Sequence, residues 1–125
     1  MTESAHPFSL AGRVALVTGS STGLGKVIAS GLAAAGAKVA INYANNQARA
    51  EDTFEAFRSA GHEGILVRGS VIEEDAVQEV VAKTAEALGP VDIVVANATP
   101  DQPQKPIEQY DWAFYQSMLD FFVKS

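Results

Sequence analysis

Four short apolar runs recur along this chain with long connections between them: VALV (14–17), KVAINY (38–43), ILV (65–67) and VDIVVANA (91–98). Each is almost wholly apolar rather than alternating, which is the pattern of a strand buried on both faces. The segments between them carry helical spacing. LGKVIASGLAAA (24–35) puts Leu24, Val27, Ile28, Gly31 and Leu32 on one face, with Gly36 placed to end the helix. Residues 45–61 put Ala50, Phe54 and Phe57 on one face and close at Gly61. Residues 70–89 give a buried stripe of Val77, Val80, Val81 and Leu88, stopped by Gly89-Pro90. Ser70 and Glu73 have the spacing of a capping box, and Glu73, Glu74 and Asp75 suit the positive end of a helix. The order β-α-β-α-β-α-β, with connections too long for hairpins, predicts a doubly wound parallel α/β sheet of about four strands.

After Ala98 the rhythm breaks. TPDQPQKPIEQ (99–109), with Pro100, Pro103 and Pro106, reads as a loop. YDWAFYQSMLDFFVKS (110–125) then reads as an incomplete C-terminal helix with two apolar stripes side by side. Trp112, Tyr115, Leu119 and Phe122 form one; Phe114, Met118 and Phe121 form the other. A helix apolar around so much of its girth requires neighbours on several sides, so subunit packing into a homo-oligomer is expected. No repeat or composition shift divides the chain, and residues 1–125 read as a single domain.

Composition narrows the partners. A net charge of −6, without a lysine- or arginine-rich patch, argues against nucleic acid and against an anionic membrane surface. The absence of cysteine removes disulfides, thiolate nucleophiles and thiolate metal sites. His6 and His62 are isolated from companion ligands, so no metal site is expected. The first residues, MTESAHPFSL, lack the basic and apolar regions of a secretory signal, which makes a cytoplasmic protein the expectation.

Directly after the first apolar run stands VTGSSTGLG (17–25), with glycines at 19, 23 and 25. This is G-x-x-x-G-x-G, not the commoner G-x-G-x-x-G. The physics is shared, since glycines admit a pyrophosphate close to the backbone and the following helix offers unpaired N–H groups. Ser20, Ser21 and Thr22 add short hydroxyls that donate to phosphate or hold the turn. A glycine-rich turn alone would be an incidental bend; its place after the first strand of an alternating β/α chain favours a phosphate floor.

LAGRVALVTGSSTGLGKVIASGLAAAGAKVAINYA resembles the opening of the short-chain dehydrogenases/reductases. Thr18, Gly19, Gly23 and Gly25 match that family's T-G-x-x-x-G-x-G position by position. The likeness extends through GPVDIVVANA, covers about residues 8–98, and leans toward the 3-oxoacyl-acyl-carrier-protein reductase type. It implies a Rossmann-like fold and hydride transfer between a nicotinamide cofactor and a carbonyl or alcohol. The implied cofactor-binding residues are Thr18, Gly19, Ser21, Thr22, Gly23, Leu24, Gly25, Asn42, Tyr43, Ser70, Val71, Asn97 and Ala98. NAD-preferring members carry an acid at the end of the second strand. Here stand Asn42 and Tyr43, followed by Asn45, Asn46 and Arg49 as donors, so NADP is preferred and NAD remains admissible.

The chain departs from the family pattern in three places. Ser70-Val71 replaces an Asp-Val pair, leaving Ser70 either to bond the adenine or to cap the next helix. Ala96-Asn97-Ala98-Thr99 replaces N-N-A-G, which keeps Asn97 and Ala98 as cofactor lining and sheet support. The third departure is the absence of a Y-x-x-x-K pair: four residues beyond Tyr43, Tyr110 and Tyr115 stand Gln47, Phe114 and Leu119. No asparagine follows Asn97, and the relay asparagine's expected position falls near Leu119. No catalytic residue is therefore assigned within these 125 positions. Two readings follow: the cofactor-binding, N-terminal half of a longer oxidoreductase, whose small carbonyl or alcohol substrate requires the remainder, or a non-catalytic nucleotide-binding module or remnant.

Overall fold

The computed structural model describes residues 6–100 and 104–125. Its centre is a four-stranded parallel sheet built from β1 (Val14–Val17), β2 (Lys38–Tyr43), β3 (Gly64–Arg68) and β4 (Ile93–Val95). The strand order is β3-β2-β1-β4, so β1 and β2 are flanked on both sides. That position explains why β1 reads VALV, since every one of its residues is buried. Register is set by Ala15 against Val39 on one side and Ala15 against Ile93 on the other.

The two faces of the sheet carry separate cores, as strand periodicity demands. Ala15, Val17, Val39 and Ile41 point to one face and pack with α1 (Gly23–Ala34) and α2 (Gln47–Ser59) through Ala29, Ile28, Leu32 and Phe57. Leu16, Ala40 and Val67 point to the other and pack with α3 (Glu74–Leu88) through Val80 and Leu88. The doubly wound sheet predicted from the apolar runs is therefore present, with two helices on one face and one on the other.

Two expectations about helix faces are corrected, those for α1 and α3, and the one for α2 is extended by one residue. In α1 the residues against the sheet are Gly25, Ile28, Ala29 and Leu32, while Leu24 and Val27 stand 69% and 67% exposed and Gly31 faces open space. Small residues make the close contact with the strands, so counting large side chains places the stripe one step too far round. In α2, Thr53 joins Ala50 and Phe57 inside, while Phe54 is half-buried and stacks on Phe57 with ring centroids 6.2 Å apart. In α3, Val80 and Thr84 are buried, whereas Val77 and Val81 are exposed beside β4, whose own Val94 is 64% exposed.

The capping box at Ser70 and Glu73 does not form. Glu73 is the N-cap of α3 and neither residue supplies a side-chain cap bond; Ser70 contributes its carbonyl to Glu73 N instead, at 3.3 Å. The acids Glu74 and Asp75 do occupy the first turn. By contrast Asn46 caps α2 by accepting from Arg49 N at 3.0 Å.

After β4 the chain makes one 3₁₀ turn (Ile107–Gln109), α4 (Trp112–Leu119) and a wider π-type turn (Asp120–Lys124). Asp111 caps α4 by accepting from Phe114 N at 2.8 Å. Pro103, counted in the expected loop, lies outside the described residues. No residue of α4 is buried. Trp112, Tyr115 and Leu119 of the first stripe stand outward, Phe122 is exposed on one side only, and Phe114, Met118 and Phe121 are half-buried. Phe121 and Phe122 lean over Val77, Val81 and Val94 to close an apolar cavity of about 450 Å³. Among the described residues no helix is long and apolar enough to cross a membrane.

Candidate functional site

The C-terminal ends of β1, β2, β3 and β4 open together onto one cleft of about 560 Å³, the location where open parallel sheets place their ligands. Of the residues singled out from the sequence, Gly19, Ser21, Thr22, Gly23, Leu24, Asn42, Tyr43, Ser70, Val71, Asn97 and Ala98 line it. Thr18 faces the adjoining apolar cavity, and Gly25 is buried against Asn97.

The three glycines are required for different reasons. Gly19 has φ +60° and passes so close to Ala98 that a Cβ would meet the Ala98 Cα at 2.8 Å. Gly25 sits where a Cβ would overlap the Asn97 side-chain amide and press on the Gly19 carbonyl. Gly23 has open space around it but adopts φ +57°, a conformation that costs an L-residue about 1–2 kcal/mol. Its bare backbone therefore faces the cleft at the start of α1.

The turn is built from side chains that spend their hydrogen bonds on the protein. Thr18 Oγ1 accepts from Asn97 N and Ala98 N, both at 3.0 Å, and donates to the Val95 carbonyl at 3.4 Å. Asn97 Nδ2 returns the contact by donating to the carbonyls of Thr18 and Gly19 at 3.0 and 3.1 Å. Asn42, 2% exposed, accepts from Gly19 N at 3.1 Å and donates to the carbonyls of Val67 and Gly69. Ser20 donates to the Val17 carbonyl and accepts from Asn42 N. The Ser21 carbonyl accepts from Thr53 Oγ1 at 2.7 Å, which ties the turn to α2. Asn42 and Asn97 thus brace the floor of the cleft, and their amides are committed to backbone partners. Thr53 carries no signal in the sequence, and Ser20, one of the short hydroxyls of the turn, is spent on holding it and not on a phosphate.

What the floor leaves unspent is the start of α1. Thr22 is the N-cap, yet its side chain makes no capping bond, and the first turn contains no acid. The first helical bond of this turn runs from Lys26 N to the Thr22 carbonyl at 3.3 Å, so the N–H groups of Gly23, Leu24 and Gly25 precede it. Unpaired donors at the positive end of a helix favour an anion. Among the described residues lining the cleft there is no carboxylate, and Arg49 is the one charged side chain. In a chain of net charge −6 that local balance is a property of the cleft and not of the whole.

The far wall comes from Ala44, Asn45 and Asn46 of the β2–α2 loop, from Gly69, and from Thr99 and Pro100 after β4. Phe121 reaches in from the C-terminal turn, a residue that no motif in the sequence marks. Thr99 stands where the family pattern has glycine. His6 and His62 lie elsewhere, against Phe8 and Phe57 with ring centroids 5.8 and 5.1 Å apart.

The sequence model of the short chain dehydrogenases matches residues 13–125. The L-rhamnose 1-dehydrogenase (NAD(P)(+)) of Sphingomonas sp. strain SKA58 is 43% identical over 89 residues, which are 71% of this chain and 35% of that protein. The short-chain dehydrogenase/reductase homolog YusS of Bacillus subtilis strain 168 is 39% identical over 87 residues, 70% of this chain and 80% of that one. A short chain dehydrogenase from Burkholderia cenocepacia J2315, solved in complex with NADP, superposes with a TM-score of 0.83 at 34% identity, over 92% of this chain and 46% of that one. The chain therefore spans less than half the length of the rhamnose dehydrogenase and of the Burkholderia protein. None of the three is named as a 3-oxoacyl-acyl-carrier-protein reductase, and that narrower likeness stays an expectation. With the fold, the glycine turn and the family match in agreement, the chain belongs to the short-chain dehydrogenase family.

Proposed function

We propose that this chain binds a nicotinamide dinucleotide, NADP in preference to NAD, and that residues 1–125 supply binding without the groups that react it. The observation that carries the reading is the open first turn of α1 facing a cleft with no lining carboxylate among the described residues. The residues fit the group. The Gly23 backbone and the N–H groups of residues 23–25 suit a pyrophosphate, Ser70 and Val71 suit the adenine, and Asn45, Asn46 and Arg49 suit the ribose end. The preference for NADP rests on Arg49 and on the absence of an acid at Tyr43, the last residue of β2, and it agrees with the NADP held by the Burkholderia protein.

When bound, such a cofactor accepts or gives a hydride against a carbonyl or alcohol. This chain's own contribution is to hold and orient it. Protonation of the substrate oxygen needs a general acid, and such groups contribute roughly 10²–10⁴ in rate. No tyrosine here is followed four residues on by lysine. Oxidoreductase activity on a small carbonyl or alcohol belongs to a chain completed beyond these residues. We further assign the protein to the cytoplasm on its acidic, cysteine-free composition, and to a homo-oligomer on the outward apolar stripe of α4.

The test is titration of the purified chain with NADPH, followed by the cofactor's own fluorescence. Saturable binding is expected, tighter for NADPH than for NADH. No saturable binding of either nucleotide overturns the reading, and at least tenfold tighter binding of NADH overturns the preference.

A further inference from the structure

Arg68, the last residue of β3, lies opposite Tyr43 in the sheet register and is exposed. It does not line the cleft. Its Nε donates to the carbonyl of Ala44 at 3.1 Å, across 24 residues of sequence. Ala44 opens the three-residue loop that carries Asn45 and Asn46 into α2, and all three line the cleft. The loop's other end is held by Asn46, whose Oδ1 accepts from Arg49 N at 3.0 Å and whose carbonyl accepts from Ala50 N at 3.0 Å. One side chain from a neighbouring strand therefore pins the start of the loop, and one cap pins its end, with Arg49 just beyond.

The end of the second strand is where a dinucleotide-binding sheet reads the ribose 2′ position. We propose that Arg68 is a positioning residue for that discrimination: by holding the Ala44 carbonyl it fixes the loop that presents Arg49 to a 2′-phosphate. The inference rests on the nucleotide-binding reading above. Arg68 acts through its Nε–H and not through its charge. A loop freed at Ala44 lets the Asn46 cap and the first turn of α2 shift together, and the phosphate must then reorder Arg49 on binding. NADH offers Arg49 only a neutral 2′-hydroxyl in place of the phosphate, so its affinity depends much less on that ordering.

The side-chain nitrogen of glutamine occupies the same bonded position as arginine Nε, which separates the two roles. Binding of NADPH and NADH to the full chain is measured by fluorescence titration for wild type, Arg68→Ala, Arg68→Gln and Arg49→Gln, with thermal midpoints confirming folded protein. Arg68→Ala is expected to weaken NADPH about five- to tenfold and NADH less than twofold, the scale of one lost ordinary hydrogen bond. Arg68→Gln is expected to keep most of the wild-type selectivity although it loses the charge. Arg49→Gln is expected to abolish the selectivity. If Arg68→Gln loses as much as Arg68→Ala, or if Arg68→Ala leaves the NADPH:NADH ratio unchanged, the positioning role is overturned while nucleotide binding stands. Unchanged selectivity in Arg49→Gln also overturns it. Wild type that binds neither nucleotide removes the binding reading itself, and the inference with it.

Discussion

Asn97 holds Thr18 by two bonds and is the donor in both: Asn97 N donates to Thr18 Oγ1, and Asn97 Nδ2 donates to the Thr18 carbonyl, each at 3.0 Å. This pair joins the end of β1 to the end of β4 beneath the glycine turn. Thr18→Val keeps the shape and strands the N–H groups of Asn97 and Ala98. A loss of about 1–3 kcal/mol in stability is expected from denaturant titration, with weaker nucleotide binding alongside.

The glycines should separate by mechanism. Gly25→Ala forces a Cβ against Asn97 and the Gly19 backbone and is expected to cost about 1–3 kcal/mol or prevent folding. Gly31→Ala meets nothing on the exposed side of α1 and is expected to stabilise the protein by about 0.5–1 kcal/mol. Thermal and urea denaturation of the two variants read opposite signs.

Asn42 offers a sharper test of position against motif. An acid at the end of the second strand would signal NAD preference by sequence alone. In this fold the Asn42 side chain points at the carbonyls of Val67 and Gly69. Asn42→Asp therefore removes two donors and sets a carboxylate against two carbonyl oxygens, at a cost of at least ~2 kcal/mol at neutral pH. Such surroundings raise the new carboxyl's pKa in the folded state, so the unfolded chain ionises first and the loss shrinks as pH falls through the carboxylate range. Urea titrations at neutral and mildly acid pH check the sign. No switch toward NADH is expected in the nucleotide titrations.

The purified chain is expected to reduce no carbonyl compound above background with NADPH or NADH. Cofactor-dependent turnover by pure protein, monitored as loss of absorbance by the reduced nicotinamide, would show that a general acid exists where none is assigned.

Trp112→Glu and Leu119→Lys, on the outward stripe of α4, are expected to shift an oligomer toward monomer in sedimentation velocity. Both positions are exposed, at 69% and 44%, so the fold itself loses little. An unchanged sedimentation coefficient in both variants would place the contact elsewhere.

The strand and helix order was legible because burial on both faces leaves a strand nothing to display but apolar residues, as in VALV. The location of the cleft was legible for the same reason, since the glycines follow the first such run. What was not legible depends on which atom meets which. Leu24 and Val27 are large and apolar, yet α1 lies on the sheet through Gly25 and Ala29, whose small size permits close approach. Ser70 and Glu73 have the spacing of a box and not its geometry. Asn42 and Asn97 sit at ligand-facing positions in the motif, while their amides serve backbone groups more than 20 residues away in sequence. Arg68 carried no signal, because its partner is a carbonyl, which every residue possesses.

The order β3-β2-β1-β4 also has a consequence for how the chain reaches its folded state. Val14 pairs with Lys38 close by in sequence, whereas Val14 N reaches Asp92 Oδ2, at 2.9 Å, across 78 residues. Closing the longer loop costs about 1 kcal/mol more in chain entropy. Docking of β4 is thus the step most exposed to delay, and the same step delivers Asn97 and Ala98 to the glycine turn. A bound nucleotide would act on that late event, and amide exchange at Val94 and Asn97 is expected to slow more on adding NADPH than exchange at Val39 or Ile41. The ligand would then serve as a clasp on the last closure of the chain, keeping the edge strand β4 from parting from β1.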